Sequence, residues 1–168
     1  MGLLETEKAY LAGLIDGEGC IYVDRYLEKR TGKYGYCLRM KIAMTCLKTL
    51  TSVRDTVSKF YKCNLHIGKG KKFDKWKQSY VFAFSTQDLS RFCEDILPYM
   101  VTKKERCKLA IEFSKSVFQN NRRGRSGAFL PLPDTLRKMK EEIYHKIRIF
   151  NKLGEDSGGN YSLEQPLA

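Results

Sequence analysis

Apolar positions along this chain repeat with two different periods, and the order of the switches outlines a fold. Between Glu5 and Asp16, Leu4, Leu11, Leu14 and Ile15 supply the apolar positions of a short helix. Thr6 reads as its N-cap, Glu7 falls in the first turn where the helix dipole favours an acid, and Gly17 and Gly19 stop it. The period then drops to two. Over residues 20–27, Ile21 and Val23 share one side, while Cys20, Tyr22, Asp24 and Tyr26 share the other. A turn signal follows at Thr31-Gly32 and Gly35. Over residues 36–45, Leu38, Met40, Ile42 and Met44 alternate with Cys37, Arg39, Lys41 and Ala43. The two runs predict an antiparallel hairpin with one buried and one basic face.

The pattern then repeats. Leu50, Val53, Val57 and Phe60 predict a helix over residues 48–61. A second hairpin is expected from about 63–69 and 78–86, with Leu65, Ile67, Tyr80, Phe82 and Phe84 inward and His66 outward. Its link holds five Lys and Trp76. Helices over 88–97 and 103–118 flank Pro98-Tyr99, and residues 120–127 form an Arg-rich loop. Pro131 and Pro133 precede Asp134, which reads as the N-cap of a last helix ending near Lys152. The expectation is one α+β domain over residues 1–152, with a loose Gly/Ser-containing tail over 153–168.

Composition narrows the class. The 168 residues are 42% apolar, enough for a core, and no apolar run approaches the roughly 20 residues that span a bilayer. No charged segment followed by an apolar one suggests a secretory signal, so an intracellular place is expected. Six Cys form no C-x-x-C pair and there are two His, which argues against a zinc finger. Charge changes the picture most. Residues 24–86 carry fifteen basic and four acidic residues, while 1–23 carry one and four; the whole chain has a formal charge of +12. A basic segment on predicted strands reads as a nucleic-acid face rather than a membrane-binding one.

Residues 11–19, Leu-Ala-Gly-Leu-Ile-Asp-Gly-Glu-Gly, are unusual for a helix. A helical Gly costs about 1 kcal/mol against Ala, so Gly13 and Gly17 need a compensating gain. A Gly13-x-x-x-Gly17 surface provides one by letting a second helix approach closely. Asp16 and Glu18 then lie at the helix C-terminus, where the dipole disfavours anions. Where two such ends meet, carboxylates crowd, and hard divalent cations such as Mg²⁺ relieve the repulsion. The bland alternative is an ordinary helix closed by an acidic turn.

The nine-residue string resembles the signature of the LAGLIDADG homing endonucleases, matching its name-giving sequence at seven positions; Gly17 and Glu18 are the departures. The resemblance implies an αββαββα fold with a saddle-shaped antiparallel four-stranded sheet and C-terminal helices. It implies metal-dependent hydrolysis of both strands of a long pseudo-palindromic double-stranded DNA site, leaving 3′ overhangs. With one motif in the chain it implies a homodimer; of an intron or an intein origin, an intron-encoded one is expected because no splicing domains flank the motif, in a bacterial cytoplasm or an organelle. Mg²⁺ is the implied cofactor, with Mn²⁺ substituting and Ca²⁺ supporting binding only. Carried over by position, Glu18 and the Gly17 carbonyl hold metal, and Glu18, Lys103 and Asp16 make the catalytic set, Asp16 as a brace. Lys104 and Arg106 are alternatives to Lys103. Leu11, Ala12, Gly13, Ile15 and Asp16 line the implied dimer interface, and Cys46 falls where the family often has a water-positioning Gln.

Alternation, with the loops, supplies the DNA-facing set. On the first hairpin it is Tyr22, Asp24, Tyr26, Glu28, Arg30, Arg39 and Lys41; on the second, His66, Gly68, Ser79 and Val81, with Lys69, Lys71, Lys75 and Lys77 near the tip. Arg39 suits guanine, and Asp24 or Glu28 suits cytosine. The loop lysines suit phosphates. A binding protein without cleavage, an intron RNA maturase or a transcription regulator, is the rival reading. Its own intron RNA is a further partner on either reading. The acid at Glu18 argues against a pure binder, because a carboxylate beside phosphates weakens binding.

Overall fold

The computed structural model describes residues 2–29, 31–68, 77–84, 86, 88–118 and 132–154, with the side chains of 116–118 left aside. The elements in chain order are α1 (Glu5–Glu18), β1 (Gly19–Glu28), β2 (Lys33–Met44), α2 (Leu47–Val57), β3 (Cys63–Ile67), β4 (Tyr80–Phe84), α3 (Leu89–Ile96), α4 (Lys104–Phe118) and α5 (Asp134–Leu153). A 3-10 turn over Leu97–Tyr99 separates α3 from α4. The strands form one antiparallel sheet in the order β1-β2-β4-β3. Helix, hairpin, helix, hairpin, helix is the expected αββαββα order, followed by two further helices.

Alternation settles which face is covered. Ile21, Val23, Leu38, Met40, Ile42, Phe82 and Phe84 are buried under the helices, as the period-two pattern predicts. Leu11, Ala12 and Ile15 of α1, Leu50, Val53 and Val57 of α2, and Leu89, Phe92 and Ile96 of α3 complete this core. Phe84 stacks on Phe92 at 4.0 Å between centroids, and Phe82 meets Phe84 edge-on at 5.0 Å. From α5, Ile143 and Ile147 reach the same core.

Several local expectations are corrected. The N-cap of α1 is Leu4, not Thr6, and its backbone N–H donates to the Glu7 carboxylate at 2.8 Å. Gly17 does not end α1, which runs through Glu18 before the chain turns at Gly19. An ideal Cβ at Gly19 would lie 2.8 Å from the Ile15 Cα and carbonyl oxygen, so this junction requires glycine for close approach. Helix α2 stops at Val57, because residues 58–61 form a turn. That turn sets the Tyr61 ring against Phe92 and its hydroxyl on Asp95. Ile67, expected inward, is 66% exposed. It is the last residue of an edge strand, and its partner Tyr80 is only half-buried. Pro133, not Asp134, caps α5; Asp134 is its first residue and accepts from Lys33 Nζ at 2.9 Å.

Candidate active site and nucleic-acid face

The end of α1 meets the start of α4, and the meeting is built on Asp16. Its two carboxylate oxygens accept the backbone N–H of Val101 at 2.7 Å and of Lys103 at 2.8 Å. The Lys103 side chain returns the contact: Nζ donates to the carbonyls of Ile15 at 2.8 Å and Asp16 at 2.6 Å. Helices leave their last carbonyls without intrahelical partners, and a cation there also suits the dipole. An ammonium has three donors, so two bonds to carbonyls leave one for something else. Burial pushes Lys103 below the usual lysine range and Arg106 adds to this, while Asp16, Cys20 and Glu18 pull the other way. Glu18 and Cys20 therefore lie close enough to Lys103 to act on it electrostatically.

Glu18 itself is exposed, and no described residue hydrogen-bonds or ion-pairs with its carboxylate. The donor set here is one carboxylate plus the carbonyl of Gly17 in the open last turn, both hard oxygens of the kind Mg²⁺ takes. Among the described residues no group of three or more His, Cys, Asp or Glu converges to hold a metal. One carboxylate and one carbonyl are fewer oxygens than the six that Mg²⁺ takes.

The open face of α1 differs from the expected interface. Leu11, Ala12 and Ile15 are buried in the chain's own core, because they fall on the sheet-facing side of the helix. They are corrected to core residues. Thr6, Tyr10, Gly13 and Gly17 form the exposed stripe instead. A Cβ added at Gly13 or Gly17 would meet nothing within 4 Å, so no contact with a described residue explains either glycine.

The sheet's other face carries the expected polar set, and its members are paired with one another. Asp24 and Arg39 form a diagonal ion pair at 3.4 Å, both about half exposed. Lys41 lies 5.1 Å from the Tyr22 ring centroid. Tyr26 lies over Gly35, where an ideal Cβ would come within 2.6 Å of the ring. Across the second hairpin His66 is exposed and faces Val81, and Gly68 donates its N–H to the Ser79 carbonyl at 2.9 Å. Gly68 has no room for a Cβ, which would lie 2.3 Å from the Ser79 hydroxyl. Lys77 is exposed. Arg30, Lys69, Lys71 and Lys75, together with the Arg-rich loop, lie outside the described residues.

Glu28 is corrected as a base reader. Its carboxylate accepts from the Thr31 hydroxyl at 2.9 Å and faces Arg137 of α5 at 3.9 Å, so it serves the hairpin turn. Cys46 is the exposed N-cap residue of α2, and its sulfur accepts from the Thr49 hydroxyl at 3.1 Å. That bond, with backbone N–H groups of Thr49 and Lys48, lowers the thiol below its ordinary range. Sequence reasoning missed Asn151, whose Nδ2 donates to the Ile21 carbonyl at 2.9 Å and whose Oδ1 accepts from Arg106 at 2.9 Å. An Asn near a helix C-terminus carries no pattern signal; only the fold brings it to β1.

The LAGLIDADG endonuclease family profile matches residues 11–115 of this chain. No curated protein sequence matches it. Among solved structures, the archaeal intron-encoded homing endonuclease I-Vdi141I, complexed with DNA, superposes with a TM-score of 0.69 at 13% identity, covering 96% of this chain and 90% of that one. The homing endonuclease I-CvuI in complex with the I-CreI target gives 0.63 at 16% identity over 86% and 82%. Endonuclease I-LtrWI, bound to target DNA, gives 0.57 at 17% identity over 98% of this chain but 52% of its own. No helix among the described residues is long and apolar enough to cross a membrane. With its motif helix, its four-stranded antiparallel sheet and a profile match over most of its length, this chain belongs to the LAGLIDADG endonuclease family, enzymes that cut DNA.

Proposed function

We propose that two copies of the chain pair through α1 and hydrolyse both strands of a long, pseudo-palindromic double-stranded DNA site, leaving 3′ overhangs. One observation carries the reading: the open Gly13/Gly17 stripe ends at an exposed Glu18 beside a fixed Lys103. Two glycines on an exposed helix face cost about 1 kcal/mol each against Ala, and a close helix–helix contact offsets that. A two-fold axis along such a contact brings two Glu18 carboxylates together and doubles the sheet into a two-half-site surface. I-LtrWI, of which this chain spans about half, supports a unit that needs a second half.

Glu18 and the Gly17 carbonyl of each copy would hold Mg²⁺, which supplies charge neutralisation and water activation when bound. The residues of the chain do the rest. Lys103 keeps its ammonium against the Ile15 and Asp16 carbonyls and has a donor left for a phosphate oxygen, where charge develops. Asp16 takes no proton in this scheme; it fixes the Lys103 backbone. Strand β1, with 10 residues at ~3.3 Å each, spans about 33 Å, or roughly ten base pairs per subunit. Along the β1–β2 hairpin, Tyr22, Asp24, Arg39 and Lys41 face the grooves; Lys77 adds phosphate affinity.

The test is a selection for double-strand cutting from a library of pseudo-palindromic duplexes of about twenty base pairs, with Mg²⁺. Recovery of discrete cut sites with 3′ overhangs is expected. Enrichment of bound but uncut duplexes would favour the maturase or regulator reading.

A further inference from the structure

Helix α5 reaches the two ends of β1 with two different groups of contacts. Its 20 residues rise about 1.5 Å each, roughly 30 Å in all, close to the length of β1 itself. The distal part of the β1–β2 hairpin needs such a support. Among the described residues, strand β4 pairs with β2 only over Lys41–Met44 and Thr86 meets the ribbon at Cys37 and Leu38, so no described strand lies beside residues 24–28 and 33–36 on the far side of the hairpin. A two-stranded ribbon alone is marginal in water. The N-terminal half of α5 backs it. Arg137 donates through Nη1 to the Tyr34 carbonyl and through Nη2 faces Glu28 at 3.9 Å, with its side chain 11% exposed. Tyr144 packs on Tyr36 at 5.8 Å between centroids, and the Arg25 guanidinium lies between the Tyr34 and Tyr144 rings at 4.5 and 5.4 Å. The other face of this ribbon presents Asp24, Tyr26, Cys37 and Arg39.

The C-terminal end makes a separate junction. Asn151 bridges the Ile21 carbonyl, three residues past Glu18, and the buried Arg106, three residues past Lys103. One amide therefore ties the root of β1 to the first turn of α4, and these two segments carry the acid and the cation of the site. This tie adds to the Asp16 and Lys103 contacts, which tie the end of α1 to the same stretch of chain.

We propose that α5 holds two separable positioning residues, Arg137 for reading DNA and Asn151 for cutting it; this rests on the endonuclease reading above. Arg137 sets the distal ribbon against the body so that its outer face meets the groove in one register. Asn151 sets the spacing between the Glu18 and Lys103 backbones. Neither residue touches DNA or the reacting phosphate, so each acts through others.

The experiment uses the full chain and the duplex recovered from the cleavage selection. Binding is measured in Ca²⁺ and single-turnover cleavage in saturating DNA with Mg²⁺. Arg137→Met, which keeps the aliphatic stem and removes the donors, should raise Kd for the selected duplex at least tenfold, with the saturated rate within twofold of wild type. Asn151→Ala should lower the saturated rate at least tenfold, with Kd within twofold. Ile147→Val on the buried face of α5 serves as the packing control and should move neither by more than twofold. Asn151→Asp, which keeps the acceptor for Arg106 but loses the donor to Ile21, should recover part of the rate. Thermal unfolding of each variant shows that it folds; a variant that does not is replaced by Arg137→Lys or Asn151→Ser, for which the same split is expected. If both variants lose binding and rate together, or if either moves neither quantity, α5 is only a packing element and the inference fails. If the wild type neither binds nor cuts any duplex, the endonuclease reading fails first.

Discussion

Replacing Asp16 by Ala separates a brace from a catalytic acid. The carboxylate accepts two backbone N–H groups from 85 and 87 residues further along the chain, the second that of Lys103, the residue before α4 begins. It thus does over a long range what the acidic member of a capping box does within one turn. A hydrogen bond to a charged group contributes about 1.5–3 kcal/mol net, and one whose donor can turn to water contributes much less when lost. Val101 is exposed and its N–H can be hydrated; that of Lys103 is half-buried. The two together give about 2–3 kcal/mol for Asp16→Ala. With a urea m-value of ~2 kcal/mol/M, the unfolding midpoint should fall by about 1–1.5 M. Asp16→Asn keeps one acceptor oxygen and should fall by about half as much. Glu18→Gln, two residues on, removes an exposed acid from a helix C-terminus, and its midpoint should stay level or rise. Chemical denaturation followed by circular dichroism reads all three. An Asp16→Ala midpoint equal to wild type would refute the bracing role and return Asp16 to the list of candidate reacting groups.

Three further outcomes are expected. Gly13→Leu places a bulky side chain on the open stripe of α1, so sedimentation should show monomer and cutting should be lost, while the monomer itself should keep its fold because the added Cβ meets no described atom within 4 Å; an active dimer would reject the packed-helix reading. Lys140 is buried against Phe113, and burial lowers its pKa below 10.5. The unfolded chain therefore binds more protons than the folded one in that window, and stability rises with pH there. Lys140→Met should accordingly raise the urea midpoint at pH 7, with a gain that shrinks as pH climbs from the depressed value towards 10.5; a constant or negative difference would contradict this. Thr49→Val removes the donor that lowers the Cys46 thiol, so the pH profile of alkylation at Cys46 by iodoacetamide should move upward. An unmoved profile would mean the hydroxyl does not hold the thiolate.

What the sequence made legible follows from which signals are local. Alternation of Ile21, Val23, Leu38, Met40 and Ile42 depends only on the pleat, so the buried face of the first hairpin could be read directly. Ile67 obeys the same pattern and is exposed, because its burial depends on where the helices end, which no local period records. The motif helix was legible as a helix, but not its orientation: the sequence shows which residues are small, and the core decides that Leu11, Ala12 and Ile15 turn inward. Glu28 was misread for a similar reason. It lies in the right alternation for a DNA-facing residue, yet Thr31 and Arg137, one a turn neighbour and one 109 positions later in the chain, claim its carboxylate. Lys103 and Asp16 were picked out separately; that they hold each other is a property of the fold.

The measurement that tests the central claim most directly compares wild type and Glu18→Gln on one selected duplex, with Kd measured in Ca²⁺ and cutting in Mg²⁺. The account predicts that Glu18→Gln binds as tightly as wild type, or somewhat more tightly for the loss of an acid near phosphates, and cuts neither strand. Double-strand cutting by Glu18→Gln at the wild-type rate would contradict it.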